Sequence, residues 1–183
     1  MTTVKIHREE CPSNPRTEWD NVGIMACWHD RHDLGDEQPK CTPEEWLEDN
    51  APEGSIVLTL YLYDHSGITM STGDAYPFNC QWDAGPVGVI VCTPDKIKAE
   101  WDGDRAKAEE YLRGEVAVYD QYLTGDVWGF TIDEPDPCEC CGNEKGPTHI
   151  DSCWGFYGDA LDQMKSHVED QYHPALAEAW DNR

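Results

Sequence analysis

Cys138-Glu139-Cys140-Cys141-Gly142, followed by His149 and Cys153, is the densest run of metal-ligand chemistry in this 183-residue chain. Cys138 and Cys141 form a C-x-x-C pair, and His149 with Cys153 supplies two further donors after a short loop. Four nitrogen and sulfur ligands at this reach suit tetrahedral zinc; with every position filled by protein, the ion is structural rather than catalytic. Gly142 eases the tight turn that lets two thiolates face one ion. The spacing matches no standard zinc finger. The competing reading is free surface thiols, with Cys153 buried beside Trp154.

A second constellation is Cys27-Trp28-His29-Asp30-Arg31-His32-Asp33-Leu34-Gly35-Asp36. It follows a predicted strand directly, where active-site loops often lie. Together with Asp64 and His65 at another strand end, His29 and His32 form a candidate His/Asp metal site or acid–base pair, roles that suit imidazole near neutral pH. Such a site would make the chain a small metal-dependent hydrolase. In so acidic a sequence His–Asp adjacency also arises by chance, so ordinary loop residues are the competing reading. A third stretch, Asp151 to Gly158, holds Ser152 and Cys153 near His149. A nucleophile needs a base in reach and a group that orients it. No spacing here supplies that geometry, and an aromatic corner of Trp154, Phe156 and Tyr157 is the favoured reading.

The charge is the most distinctive bulk property. Thirty-seven acidic residues against thirteen basic ones leave a formal net charge of −24. Solubility needs only about 2–8 charges on a small domain, and the excess costs stability through self-repulsion. Asp104, Glu109, Glu110, Glu115, Asp120 and Asp126 follow the longest helical pattern, and Asp159, Asp162, Glu169 and Asp170 follow a C-terminal one. Carboxylates on rigid helices can imitate duplex phosphates and attract a basic groove. The competing reading is a solvated outer helix face, or acidity that serves salt adaptation. Direct nucleic-acid binding is disfavoured, because no stretch clusters Lys or Arg. Membranes are disfavoured for the same reason, and no apolar run approaches the roughly 20 residues of a span. The N-terminus carries no signal-peptide pattern, and nine cysteines, an odd number, argue for reduced thiols. A cytoplasmic setting is expected.

Eight Trp and eight Tyr in a 39% hydrophobic chain provide a core throughout. Strands are predicted at Val4 to Arg8, Val22 to Trp28, Ser55 to Tyr63, Ile68 to Ser71, Val87 to Cys92 and Val127 to Ile132. Thr42-Pro43-Glu44-Glu45 is a capping box opening a short helix that ends near Asn50. Thr93-Pro94-Asp95 opens another. Ala108, Leu112, Val116, Tyr119 and Leu123 define a long helix stopped by Gly125, with a kink expected at Gly114. Pro135 to Pro147 reads as an irregular cysteine-bearing loop, with a zinc-stapled segment over 135–153. Leu161 to Tyr172 reads as a helix that Pro174 breaks or restarts. The sum is one α+β domain over 1–183, with a mixed or largely antiparallel sheet and helices packed on one face.

Several phrases resemble a group of uncharacterised small acidic proteins from bacteriophages and mobile elements. They are Trp19-Asp20-Asn21 with Gly23, Met25, Cys27, His29, Arg31 and Leu34-Gly35-Asp36; Leu60 to Thr69; Tyr111 to Val116 with Tyr119-Asp120 and Tyr122-Leu123; and Asp151 to Gly158. The resemblance implies a phage-like source and a host-cytoplasm setting, and carries no mechanism. Joined to the acidity, it leads to the expectation of a host-takeover or anti-defence protein, an acidic nucleic-acid mimic that engages the basic groove of a host nucleic-acid-binding enzyme. A zinc-stapled acidic adaptor without catalysis is the remaining alternative.

Overall fold

The computed structural model describes residues 2–73, 78, 82–138, 140–142 and 144–183. In chain order the elements are β1 (Thr3–Arg8), α1 (Pro15–Glu18), β2 (Ile24–Cys27), α2 (Pro43–Asn50), β3 (Ile56–Asp64), β4 (Ile68–Thr72), β5 (Ala84–Cys92), α3 (Pro94–Trp101), α4 (Arg105–Thr124), β6 (Val127–Pro137), β7 (Glu144–Tyr157), α5 (Leu161–Ser166), a 3-10 turn at Asp170–Tyr172, and α6 (His173–Asp181). The fold is α+β, and all strand pairs within its two sheets are antiparallel. The chain divides into two compact units, Asn14–Thr124 and Met1–Ser13 with Gly125–Arg183.

In the Asn14–Thr124 unit a four-stranded sheet runs in the order β2-β5-β3-β4. The helical stripe read from the sequence is the one that buries: Ala108, Leu112, Val116 and Tyr119 of α4 meet Ile56, Leu60 and Leu62 of β3, with Leu123 half-buried at the edge. Full burial of side chains such as Leu112 stabilises by about 1.5–3 kcal/mol each. Gly125 ends α4 in the left-handed region (φ 68°). The helix runs uninterrupted through Gly114, whose exposed site has no neighbour for a Cβ to meet.

Helices on one face was the expectation for this sheet; they cover both. Met25, Ala26 and Cys27 of β2 are all buried, as are Ile90, Val91 and Cys92 of β5. Strands apolar at consecutive positions need cover on each side. α4 serves one face, while Trp46 and Leu47 of α2 pack on Ala26, Val89 and Val91 on the other. Gly88 permits the β2–β5 approach, since a Cβ there would stand 2.2 Å from the Ala26 carbonyl oxygen. The predicted capping box forms: Thr42 Oγ1 accepts from the Glu45 N–H at 3.3 Å, and Glu45 Oε2 accepts from the Thr42 N–H at 2.9 Å.

The other unit joins both ends of the chain in a three-stranded sheet, β1-β6-β7. Phe130, Ile132 and Phe156 point into a core closed by Met164 of α5 and by Leu176 and Trp180 of α6. Within the irregular loop expected over Pro135 to Pro147, positions 135–137 and 144–147 are instead strand, the outer part of the long β6–β7 hairpin, in which Pro135 lies opposite Pro147; Glu139 and Asn143 lie outside the described residues. Three register shifts along this ladder absorb residues that cannot sit in a regular one. The aromatic corner is likewise strand. Phe156 enters the core while Trp154, 45% exposed, lies against Gly129, where a Cβ would come within 2.2 Å of its ring. The C-terminal helix divides. α5 ends at Ser166, and His173 Nε2 sits 2.9 Å from the Lys165 carbonyl oxygen that a further helical turn would have satisfied. Pro174 then lies in the first turn of α6, the restart that its fixed φ favours.

Candidate functional site

The turn after β2 and the end of β3 bring His29, His32 and Asp64 together, as the sequence reading proposed. His29 Nε2 lies 3.7 Å and His32 Nε2 3.3 Å from Asp64 Oδ2, and the two rings stack with centroids 5.1 Å apart. Arg31, unassigned in the sequence reading, donates to the same oxygen at 2.6 Å. Sequence adjacency to His29 and His32 was its only signal. His65 is not part of this group; its Nδ1 faces Asp83 Oδ2 at 3.1 Å. Asp64 and Asp83 both line a polar cavity of about 300 Å³, together with Trp28, Arg31 and the 93% exposed Trp82.

The hydrogen bonds around His29 decide what this group can do. Its Nδ1 accepts from the backbone N–H groups of Arg31 (3.3 Å) and His32 (3.1 Å). The neutral ring therefore carries its proton on Nε2, which faces Asp64 Oδ2 at 3.7 Å. An Nε2 that carries a proton offers no lone pair to a metal, and the Arg31 guanidinium already neutralises the carboxylate. Of the four residues expected to hold a hydrolytic metal, His29, His32 and Asp64 converge and His65 does not. Together with Arg31, the converging three form a carboxylate held by two imidazoles and a guanidinium, an arrangement suited to moving protons.

The four-ligand zinc set is also not assembled. His149 pairs across the ladder with Asp133, its Nδ1 3.3 Å from Asp133 Oδ1, and Cys153 pairs with Phe130. At about 3.3 Å per residue these positions stand roughly 15 Å and 25 Å along the strand from Cys138, against zinc–ligand bonds of about 2–2.3 Å. Cys138 and Cys141 do converge, and with Cys140, which the sequence reading passed over. Among the described residues these three cysteines form the one group of three or more metal-ligating side chains whose donor atoms all lie within 4.8 Å of one another. The group is exposed apart from partly covered Cys138, and it could bind a metal ion. Hydrogen bonds from the Cys140 thiol and backbone, and from Cys141, lower the Cys138 thiol to about 7. Ser152 shows no nucleophile geometry: it is exposed, and its N–H donates to the neighbouring Asp151 carboxylate at 2.8 Å.

Most carboxylates expected to form a partner-binding face have internal work. Glu115 points inward: its carboxylate takes the Arg16 guanidinium at 2.9 Å and the Val22 N–H at 2.7 Å. Asp120 accepts the Met70 N–H, and Asp126 the Trp128 indole N–H, each at 2.7 Å. Glu109 pairs with Arg113 at 2.7 Å and Asp104 with Lys107 at 3.5 Å; the Lys107 backbone N–H also holds the Asp104 carboxyl below its ordinary pKa. Asp162 pairs with Lys165, Asp170 lies 3.8 Å from His173, and Glu169 accepts from Gln171. Glu110 and Asp159 remain exposed. Interleaved Arg and Lys break the α4 face into pairs, so no stripe runs along it.

A coherent acidic surface does exist on α2, which was not singled out in the sequence. Glu44, Glu45, Glu48 and Asp49 are all exposed, while Trp46 turns to the core. No ion pair engages these four among the described residues. Most described cations are held elsewhere. Arg16, Arg31, Lys98, Lys107, Arg113 and Lys165 pair with other carboxylates. Lys96 and Arg105 bind backbone carbonyls, and Arg8 and Arg183 lie over Trp128. The buried Arg16 centre, also absent from the sequence reading, anchors the Asn14–Thr124 unit. Its guanidinium binds Asp36, Glu115, Asn21 Oδ1 and the Gly23 carbonyl oxygen. Beside it an apolar groove of about 440 Å³ runs between Trp19 and the Lys107, Tyr111 and Gly114 face of α4.

No family model, no curated protein and no solved structure matches this chain.

Proposed function

We propose that the chain is a non-enzymatic acidic inhibitor that occupies the cationic nucleic-acid groove of a host DNA- or RNA-handling enzyme in the cytoplasm of an infected cell, a host-takeover or anti-defence role. The observation that carries this reading is the α2 band. Glu44 with Glu48 and Glu45 with Asp49 are like-charge i,i+4 pairs, each destabilising by about 0.2–0.5 kcal/mol. Glu48 and Asp49 also lie near the helix C-terminus, where the helix dipole disfavours anions, and no basic residue occupies the last turn. Glu44 and Glu45 suit the first turn, and Glu45 closes the cap, but Glu48 and Asp49 are held against the local electrostatics; with cations sequestered in internal contacts, that fits selection for a basic partner. Structural zinc has no part in this role, because the hairpin is held by its own ladder.

The test is affinity capture from bacterial host lysate across salt concentration, comparing the native chain with E44Q/E45Q/E48Q/D49N. Recovery of nucleic-acid-binding proteins that are released by added duplex, and lost with the four neutralisations, is the expected result. Capture that ignores both changes would refute the role.

The convergence of His29 and His32 on Asp64 favours an alternative reading, an enzyme that performs acid–base chemistry on a small polar substrate in the adjoining cavity. An Asp64→Asn change that leaves capture intact but abolishes a turnover would support it.

A further inference from the structure

We propose that Cys138, Cys140 and Cys141 form an open three-thiolate site for a zinc ion, with its fourth position exposed to solvent and available to a ligand from outside the chain. The geometry comes from the turn. The Cys138 carbonyl oxygen accepts the Gly142 N–H at 2.7 Å, closing an i to i+4 turn, and Gly142 completes it at φ 71°. This wrap gathers side chains 138, 140 and 141 over one point at the end of the β6–β7 hairpin. Cys138 Sγ and Cys140 Sγ are 2.9 Å apart, and all three sulfurs lie within 4.8 Å of one another. Three sulfurs about 2.3 Å from one tetrahedral zinc ion stand roughly 3.8 Å apart, so small rotations of exposed side chains complete the tripod.

Binding forms three Zn–S bonds, and the three thiol protons pass to solvent. No electron is transferred. The chemistry differs from a structural clip in two ways. His149 and Cys153 lie too far along β7 to contribute, so the fourth position cannot be filled from this hairpin by those residues. The strands flanking the turn are already joined as far as the Pro137–Glu144 pair, so the fold does not wait for the metal. A site closed by three protein ligands and one external ligand has the coordination of catalytic zinc centres.

Zinc titration of the reduced full-length protein against a chromophoric chelator tests this directly. One tight equivalent is expected. C138S/C140S/C141S should lose it, and C140S alone should weaken it by more than the roughly 10–100-fold that a lost outer-shell partner costs. H149A/C153S should retain it, and the metal-free protein should remain folded, since the β6–β7 ladder forms without the ion. Absence of a tight equivalent, its survival in the triple variant, indifference to C140S, or its loss in H149A/C153S would each overturn the proposal.

Discussion

Arg16 is the residue on which the Asn14–Thr124 unit depends most. Its guanidinium is almost fully enclosed and holds two carboxylates whose own oxygens bind the backbone N–H groups of Val22 and Met25. Removing one member of a buried ion pair leaves an uncompensated charge, typically at a cost of about 3–5 kcal/mol. Arg16→Met should therefore lower urea-unfolding stability by that amount, whereas Arg31→Met, at a mostly exposed side chain, should change it by less than about 1 kcal/mol. Cys27 makes a pH prediction. Burial pushes its thiol up to about 12 from an ordinary value of 9.0. Above pH 9 the unfolded chain loses this proton while the folded chain keeps it. Stability contributed by the neutral thiol is thus fully present below pH 9 and falls as pH rises from 9 toward 12, at up to about 1.4 kcal/mol per pH unit. Unfolding measured from pH 8 to 10.5 should show a shallower decline in Cys27→Ala than in the native chain, and parallel slopes would contradict the assignment. Neither role was legible in the sequence. The Pro- and Asn-rich sequence around Arg16 reads as a loop although Arg16 lies in α1, and its partners lie 20 and 99 positions away.

Elements were legible where local chemistry decides them. The Thr42 box, the α4 stripe and its Gly125 stop, the β3–β4 hairpin and the strand at Val87 to Cys92 all follow from caps, period and turn residues. The β6–β7 ladder was missed, because Pro135, Pro137 and Pro147 signal a loop unless bulges absorb them. That error spread to the site. A loop folds back and can gather Cys138, Cys141, His149 and Cys153, whereas extended strands hold them apart. The acidic face went to α4 for a related reason: composition shows Glu and Asp, but only the fold shows which are paired. α2 now carries a prediction with two opposite signs. Glu48→Gln with Asp49→Asn removes like-charge repulsion and the unfavourable dipole contact, so stability should rise by about 0.5–1.5 kcal/mol, while affinity for a basic partner falls. Thermal unfolding and binding measured on the same variant check this; loss of both would mean that the carboxylates serve the fold instead. Leu112→Ala in α4, at a fully buried site, should cost about 2–5 kcal/mol without altering the salt dependence of binding.

For the whole molecule, charge is the organising property. The Asn14–Thr124 unit carries 22 acidic and 8 basic residues, and the other unit 15 and 5. Anionic excess is thus a property of both, and no helix among the described residues is long and apolar enough to cross a membrane. An excess of this size steers association with a cationic surface, and added salt suppresses it. The most direct test is the salt slope of partner affinity, measured between about 50 and 200 mM salt for the native chain and for E44Q/E45Q/E48Q/D49N. Selection of α2 for a basic groove predicts a steep native slope that becomes shallower when the four carboxylates are neutralised, with duplex nucleic acid competing for the same partner. An unchanged slope in the variant, with no competition from duplex, would contradict it.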